Sequence, residues 1–157
     1  MKIVFIQTGK TRSTDINNIE AEYYKRIGRY LPFDAIVIPD LKKTKNLSED
    51  EVKKREAELI QKELNPGDHI VLLDDKGKEY TSLKFAGHLQ QIMNRGVKRL
   101  VFIVGGPYGF DPIIYALAQE KLSLSRMTFS HQIIRAIFAE QLYRAFTILN
   151  NEPYHHE

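Results

Sequence analysis

Hydrophobic positions along the chain fall either in short continuous runs or in stripes with helical spacing. Short runs rich in β-branched residues predict buried strands. These runs cover residues 2–8, 35–38, 69–74 and 99–104, and 122–124 is a shorter candidate for a fifth strand. The runs are followed by residues that interrupt regular structure, among them Gly9, Pro39 and Gly77. We therefore expect each strand to end in a loop near its interrupting residue.

Between these runs, apolar residues recur every three or four positions, which is the spacing of one helix face. Capping signals support three of the predicted helices: Ser48 with Glu51, Asp111 before Pro112, and Ser130. Five helices are predicted. The first begins at residue 15 and ends before Pro32, the second covers 48 to about 64, the third covers 83–94, the fourth begins at about 112, and the fifth covers 131–149.

Strands that alternate with helices predict an α/β fold with a mostly parallel, helix-covered sheet. The 157 residues suit a single domain, 1–157. Ligands of such sheets bind beyond the carboxyl ends of the strands. This rule indicates three loops, at residues 74–78, 105–110 and 123–131.

Composition narrows the chemistry. The chain has no cysteine, so disulfides, thiolate nucleophiles and Cys-type zinc sites are excluded. The apolar stretch near the N-terminus is too short for the core of a signal peptide, and no run approaches the ~18 apolar residues that span a bilayer. We expect a cytoplasmic protein.

The chain carries a mild basic excess, with a formal net charge of +3. This balance tolerates a polyanionic partner such as RNA but does not require one. Basic clusters occur at residues 25–29, 42–45, 76–78 and 95–99. Each cluster is also consistent with side chains that merely solvate loops and helix ends.

The loop Gly105-Gly106-Pro107-Tyr108-Gly109 follows a predicted strand, and its glycines would let a ligand approach the backbone closely. It lacks the Gly-Lys-Ser/Thr of a phosphate-binding loop and the spacing of a dinucleotide fingerprint. A tight turn without a ligand remains the alternative.

The segment Ser123 to His131 is rich in hydroxyl groups and precedes a predicted helix. Arg126, His131 and Arg135 could converge there on a phosphate. A polar loop with Ser130 as helix cap is the simpler interpretation.

The tail Tyr154-His155-His156-Glu157 is interpreted either as a frayed end or as a functional segment. A metal site is not expected, because no third ligand stands at a regular spacing from the two histidines. No Ser-His-Asp or paired-carboxylate pattern supports hydrolysis, and Asp74-Asp75 could equally be loop acids.

Together, HIVLLDDKGK, FIVGGPYGF, LSLSRMTFSHQIIRAIFAEQLYRAFTI and YHHE resemble the RlmH family, the ribosomal RNA large subunit methyltransferases H of the SPOUT superfamily. The similarity covers nearly the whole chain. It implies a C-terminal trefoil knot, an exception to the rule that chains do not thread loops. It also implies a homodimer that binds S-adenosyl-L-methionine (SAM) in the knot and methylates N3 of a pseudouridine in helix 69 of 23S rRNA, on the assembled 70S ribosome.

The resemblance also assigns residues. The SAM contacts that it implies are Leu73, Gly105, Gly106, Leu124, Ser125, Arg126, Met127, Thr128 and Phe129. It places the helix of residues 131–149 at the dimer interface and the tail residues Tyr154 and His155 at the substrate pocket. The family often has a basic residue next, where this chain has His156.

Methylation of an imide nitrogen also requires loss of its proton, which a general base accelerates. His155 is the first candidate for this base and His131 the second, and Arg135 could stabilise the developing anion. The competing hypotheses are a non-catalytic RNA- or ribosome-binding module on the same fold, and a nucleotide-binding hydrolase, for which no phosphate-loop lysine is present.

Overall fold

A computed structural model describes residues 1–156 of the chain. Strands and helices alternate along the whole sequence. Their order is β1 (Lys2–Thr8), α1 (Thr14–Ile27), β2 (Phe33–Ile38), α2 (Glu49–Lys62), β3 (His69–Glu79), α3 (Ser82–Asn94), β4 (Arg99–Val104), α4 (Pro112–Leu117), β5 (Glu120–Ser123) and α5 (Ile133–Leu149).

The strands form one five-stranded sheet in the order β2-β1-β4-β3-β5, and every pairing is parallel. Alternate residues of each strand face opposite sides of the sheet. Phe5 packs with side chains of α1, α3 and α5, whereas Ile6 packs with side chains of α2 and α4. The predicted α/β class is therefore confirmed, and the trefoil knot stays a prediction.

The connections that leave the neighbouring strands β1 and β4 run in opposite directions across the sheet. From β1 the chain passes through α1 to β2, on one side, and from β4 it passes through α4 to β5, on the other. The two connections lie on opposite faces. Such a switch point leaves a crevice at the carboxyl ends of the two strands, where ligands bind in open α/β sheets.

The strand that contains Gly77 does not end where the sequence predicted. β3 continues through Gly77 to Glu79, and its register with β5 shifts between Leu73 and Lys78. A Cβ atom at Gly77 would lie 2.6 Å from backbone atoms of Leu122. The glycine thus lets β5 approach closely, so the interpretation of Gly77 as a strand breaker was wrong.

Two further elements differ from their predictions. The strand β2 is an edge strand that pairs only with β1 among the described residues, and Val37 is 43% exposed, so it is not the buried strand that was predicted. The helix α5 begins at Ile133 with Gln132 as its N-cap, not Ser130. The Ser130 hydroxyl nevertheless accepts a hydrogen bond from the Ile133 amide (3.2 Å) and closes the turn before the helix.

The apolar stripe of α5 lies mainly inside the chain. The ring of Phe138 packs between those of Phe5 and Phe102, with centroid distances of 4.7 and 4.8 Å. Leu142 and Ala145 are fully buried as well. The core of one chain therefore accounts for the width of this face, and a dimer interface is not needed to explain it.

Candidate functional site

A cavity of about 610 Å³, called the larger cavity below, lies at the carboxyl ends of β4 and β5 and beside the middle of β3. The three segments that the sequence indicated, at residues 74–78, 105–110 and 123–131, all contribute to its wall, although residues 74–78 belong to β3 and do not form the loop that was predicted. Leu73, Leu122 and Leu124 form an apolar part of the lining, whereas the loops bring hydroxyl and backbone groups. A lining of this kind suits a ligand that has both a flat apolar part and polar substituents.

The wall contributed by β4 and its loop contains three glycines, Gly105, Gly106 and Gly109, beside larger residues such as Pro107 and Phe110. A Cβ atom at Gly105 would lie 3.2 Å from the Phe110 ring, which is itself buried. The loop closes with a hydrogen bond from the Gly109 amide to the Gly106 carbonyl (3.1 Å), with Gly109 at φ +80°. Gly105 thus leaves room for the Phe110 ring, and Gly109 adopts a backbone conformation that other residues rarely reach.

On the β3 side, a tyrosine that the sequence did not single out contributes to the cavity. The Tyr115 hydroxyl donates to the Asp74 carboxylate at 2.5 Å, and the Lys76 amide donates to it at 2.8 Å. Burial raises the pKa of Asp74, but these hydrogen bonds outweigh it, so the net pKa lies below its ordinary value. Asp74 is therefore a fixed negative charge at this wall. The only signal for Tyr115 was its place on the helix capped by Asp111.

The segment before α5 is held by its own serines. The Ser123 hydroxyl donates to the Ser125 carbonyl (3.0 Å), and the Ser125 hydroxyl accepts from the Met127 amide (2.9 Å). This turn leaves Met127 77% exposed and Phe129 39% exposed at the cavity. Large apolar side chains at an open cavity provide surface that a ligand can cover.

The structure brings most of the predicted cofactor-binding residues together. The cavity is lined by Leu73, Gly105, Gly106, Leu124, Ser125, Met127, Thr128 and Phe129. Arg126 is the exception: its side chain is 89% exposed and its Nε lies 3.2 Å from a carboxylate oxygen of Glu79. Arg126 is therefore placed beside the cavity and not in its wall.

A smaller cavity, of about 290 Å³, adjoins the larger one at the crevice between β1 and β4. Lys10, Arg12, Asp40 and Glu56 give it a charged lining. Both cavities share Gly106, Pro107 and His131.

His131 stands at the junction of the two cavities. Burial, and then the positive charges of Arg135 and Arg12, lower its pKa below the ordinary value of 6.5. His131 is therefore mostly neutral at pH 7, and its ring can accept a hydrogen bond.

Arg135 does not reach either cavity. Its side chain is fully buried, and the guanidinium donates to the carbonyls of Thr8 and Gly9, both at 2.8 Å, and to the Thr11 hydroxyl at 3.0 Å. The buried Glu20 carboxylate accepts from the Thr11 hydroxyl at 2.7 Å and supplies the countercharge. Nη1 and Nη2 of Arg135 therefore hold the end of β1. The hypothesis that Arg135 stabilises a substrate anion or binds phosphate stays a prediction, and this burial does not favour it.

The tail lies against α1 and α5, away from both cavities. The Tyr154 ring packs edge-on against Tyr143 at 4.8 Å, and its hydroxyl donates to Glu140 at 3.0 Å. His155 Nδ1 lies 3.2 Å from Arg144 Nη1. Tyr154 and His155 do not line the cavities, and Glu157, the last residue of the tail motif, lies outside the described residues. Tyr154 and His155 are therefore held against the chain, unlike the frayed end that was one interpretation of the tail.

Within residues 1–156, no group of three or more His, Cys, Asp and Glu side chains is arranged to hold a metal ion. Over the same residues, no helix is both long enough and apolar enough to cross a membrane.

Comparison with known proteins identifies close relatives. Residues 1–155 match the family model described as "Predicted SPOUT methyltransferase". The proteins named ribosomal RNA large subunit methyltransferase H from Parabacteroides distasonis and Bacteroides thetaiotaomicron are 58% and 54% identical to the chain. Each alignment covers 100% of both proteins.

Solved structures with the same fold are more distant in sequence. A probable methylase family protein from Haemophilus influenzae superposes with a TM-score of 0.58, over 95% of this chain and 66% of that one. A probable methyltransferase from Bordetella pertussis superposes with a TM-score of 0.55, over 92% of this chain and 95% of that one. Both are 12% identical to the chain, so they support the fold and not the choice of substrate.

Proposed function

Since the chain belongs to the SPOUT methyltransferase family, we propose that it transfers a methyl group from SAM to the large subunit ribosomal RNA. The larger cavity is assigned to the methyl donor. Its relatives carry the name ribosomal RNA large subunit methyltransferase, which supports the choice of acceptor.

The observation that carries this proposal is the larger cavity, with its glycine-containing wall and its apolar floor. SAM combines a flat adenine with charged and hydroxyl groups, and it supplies a methyl group bound to a positively charged sulfur. Leu73, Leu122 and Leu124 suit the flat apolar part, and the Asp74 carboxylate suits positive or hydroxyl groups. The side chains present therefore fit the donor.

At the finer level, we propose the acceptor that the family resemblance implies: N3 of a pseudouridine in helix 69 of 23S rRNA, on the 70S ribosome in the cytoplasm. His131 lines the larger cavity and the smaller cavity next to it, which supports a role for this residue beside the donor. Positioning of the two reactants accounts for most of the rate enhancement in such an in-line transfer.

We further propose that the protein acts as a homodimer in which the tail of one copy completes the site of the other. Tyr154 and His155 do not line the cavities of their own chain, so a contact with substrate has to come from a second copy or from a large movement of the tail. The chain's own α1 and α5 hold the tail at their surface through Tyr23, Tyr143 and Arg144.

Titration with SAM in a calorimeter tests the donor assignment. We expect one SAM per chain with saturable binding that is lost when the cavity is blocked. A non-catalytic RNA-binding module would bind ribosomes and give no heat with SAM, and that outcome would overturn the proposed function.

Mixing two inactive variants tests whether the tail completes the site of its own chain or that of the other copy. His155→Ala removes the tail contact and Gly105→Val changes the wall of the larger cavity. In a mixed dimer, a tail that acts across the dimer leaves one site intact, so activity should return to about a quarter of the wild-type rate, since half of randomly paired dimers are mixed. If mixing restores nothing, the tail acts within its own chain.

A further inference from the structure

The smaller cavity lies at the switch point of the sheet, where the topology leaves a crevice. Thr8 and Gly9 at the end of β1 form one side of it, and Gly106 and Pro107 after β4 form the other. Because Gly106, Pro107 and His131 line both cavities, the smaller cavity adjoins the larger one directly at these residues. Its volume, about 290 Å³, is close to the lower end of small-molecule pockets.

Two cations stand at the rim of the smaller cavity on a loop that is held in place. The Arg12 amide donates to the Gln132 side chain at 2.7 Å, and the Gln132 amide group donates to the Lys10 carbonyl at 3.2 Å. Lys10 and Arg12 are both exposed. This arrangement provides positive charge beside the cavity, as recognition of a nucleic acid backbone requires.

The inner wall of the smaller cavity contains a carboxyl group that touches the glycine loop. A Cβ atom at Gly106 would lie 3.0 Å from Glu56 Oε1, so Glu56 packs directly against Gly106, which lines both cavities. Burial, and then the negative charge of Asp40, raise the pKa of Glu56 to about 7. The other charged or titratable side chains that line this cavity are Lys10, Arg12, Asp40 and His131.

We propose that the smaller cavity holds the acceptor base of the RNA, an imide-bearing pyrimidine, and that Glu56 accepts the proton of its ring nitrogen. Lys10 and Arg12 bind the adjoining phosphates. This inference rests on the proposed function, because it takes the larger cavity as the site of the methyl donor.

The proton and electron balance of this step is simple. The N–H bond of the imide breaks and its proton passes to a carboxylate oxygen of Glu56. The nitrogen lone pair forms the new bond to the methyl carbon, and the bond between that carbon and the sulfonium sulfur breaks. The sulfur leaves as a neutral thioether, so no further reactant is needed.

Glu56 suits this role better than the two histidines. A general base is most effective when its pKa is near the working pH, which Glu56 satisfies. The pKa of His131 is lowered, so His131 is a weaker base than an ordinary histidine. His155 does not line either cavity of its own chain.

The test replaces Glu56 by glutamine, which keeps the shape and removes the base. Glu58→Gln is the matched control, because Glu58 is an exposed residue of the same helix. With saturating SAM and ribosomes that lack the modification, we expect the single-turnover rate to fall by ~10²–10⁴-fold in Glu56→Gln and to stay unchanged in Glu58→Gln. SAM affinity, measured on the same samples, should be unchanged in both and shows that each variant is folded.

The pH dependence of the wild-type rate provides a second measurement that needs no variant. We expect the rate to rise with pH and to level off above an inflection near pH 7. A wild-type rate that continues to rise through pH 9, or an active Glu56→Gln enzyme with the wild-type profile, overturns the role of Glu56. If instead the wild type transfers no methyl group to rRNA at any pH, the proposed function itself fails.

The phosphate contacts are tested separately with Lys10→Met/Arg12→Met. Binding to 70S ribosomes should weaken, and the slope of log affinity against log salt should become shallower by about 1–2. Lys54→Met, on the exposed surface of α2, is the control and should leave the slope unchanged. An unchanged slope in the double variant would remove the cavity rim from the RNA-binding surface.

Discussion

The backbone of Leu122 lies so close to Gly77 that a Cβ atom on Gly77 would be 2.6 Å from its amide nitrogen. This contact joins the distal half of β3 to β5, the short strand that leads into the segment 124–131. Because that segment forms a wall of the larger cavity, the shape of the cavity depends on a glycine that lies outside it.

Gly77→Ala should therefore destabilise the protein, because the added methyl group meets backbone that cannot rotate away. We expect the free energy of unfolding, measured in urea, to fall by ~1–3 kcal/mol, the range for overpacked sites. Gly87→Ala is the matched control: Gly87 is exposed in α3, and an added Cβ there has no atom within 4 Å. Gly87→Ala should raise the free energy of unfolding by ~0.5–1 kcal/mol. Equal effects of the two substitutions would contradict the close approach of β5.

Gly105→Val should abolish or strongly weaken binding of SAM while the fold is retained. A Cβ atom on residue 105 lies only 3.2 Å from the ring of Phe110, and both residues line the larger cavity, so the valine side chain changes the shape of that wall. We expect SAM affinity in calorimetry to fall by more than about tenfold, equivalent to ~1.4 kcal/mol. Circular dichroism checks the fold. Wild-type affinity in a folded variant would remove the glycine loop from the donor site.

Arg135→Lys should lower stability, although the charge is conserved. A lysine ammonium cannot match the planar fork with which Arg135 reaches the carbonyls of Thr8 and Gly9. We expect a loss of ~1–3 kcal/mol in urea unfolding, as for buried groups left without a partner. Arg126→Lys, at an exposed side chain, should change stability by less than about 0.5 kcal/mol. A stable Arg135→Lys enzyme with impaired methyl transfer would instead support a catalytic role for Arg135.

Glu120 should make the free energy of unfolding depend on pH in the acidic range. It accepts hydrogen bonds from His69 at 2.8 Å and from His88 at 2.5 Å, where β3, α3 and β5 meet. Burial raises its pKa, but these two hydrogen bonds outweigh it, and the net pKa lies below 4.5. A lowered carboxyl pKa stabilises the fold above the unfolded value of 4.5, and this contribution is lost as pH falls through the folded value.

Glu120→Gln should accordingly cost ~2 kcal/mol at pH 7, a typical value for hydrogen bonds to a charged group. The difference in the free energy of unfolding between Glu120→Gln and the wild type should become smaller when urea unfolding is repeated below pH 4.5. Glu58→Gln, at an exposed site, should show no such dependence. A difference that stays constant from pH 7 to pH 3 would mean that the Glu120 charge is not involved.

The parts of this structure that the sequence predicted are those with local signals. Strand–helix alternation, the Asp111 cap and the loops that line the larger cavity all follow from residues within a few positions of one another. The single-domain assignment over residues 1–157 stays a prediction.

What the sequence did not predict concerns contacts between residues far apart in sequence. A glycine inside a strand and a glycine that ends one look alike until the neighbouring strand is placed, which is why Gly77 was misassigned. Arg135 resembles a surface cation at a helix start, and only the position of Thr8 and Gly9 shows that it is buried. Glu56 gave no signal, because its environment comes from Asp40 and Gly106.

The central claim is that this chain methylates large subunit ribosomal RNA from SAM bound in the larger cavity. Mass spectrometry of 23S rRNA tests it most directly, with 70S ribosomes from a strain that lacks the gene, incubated with SAM and the purified protein. We predict one additional methyl group on the fragment that contains helix 69, at N3 of a pseudouridine, with wild-type protein and none with Gly105→Val. No mass change in 23S rRNA, or an equal change with both proteins, would contradict the account.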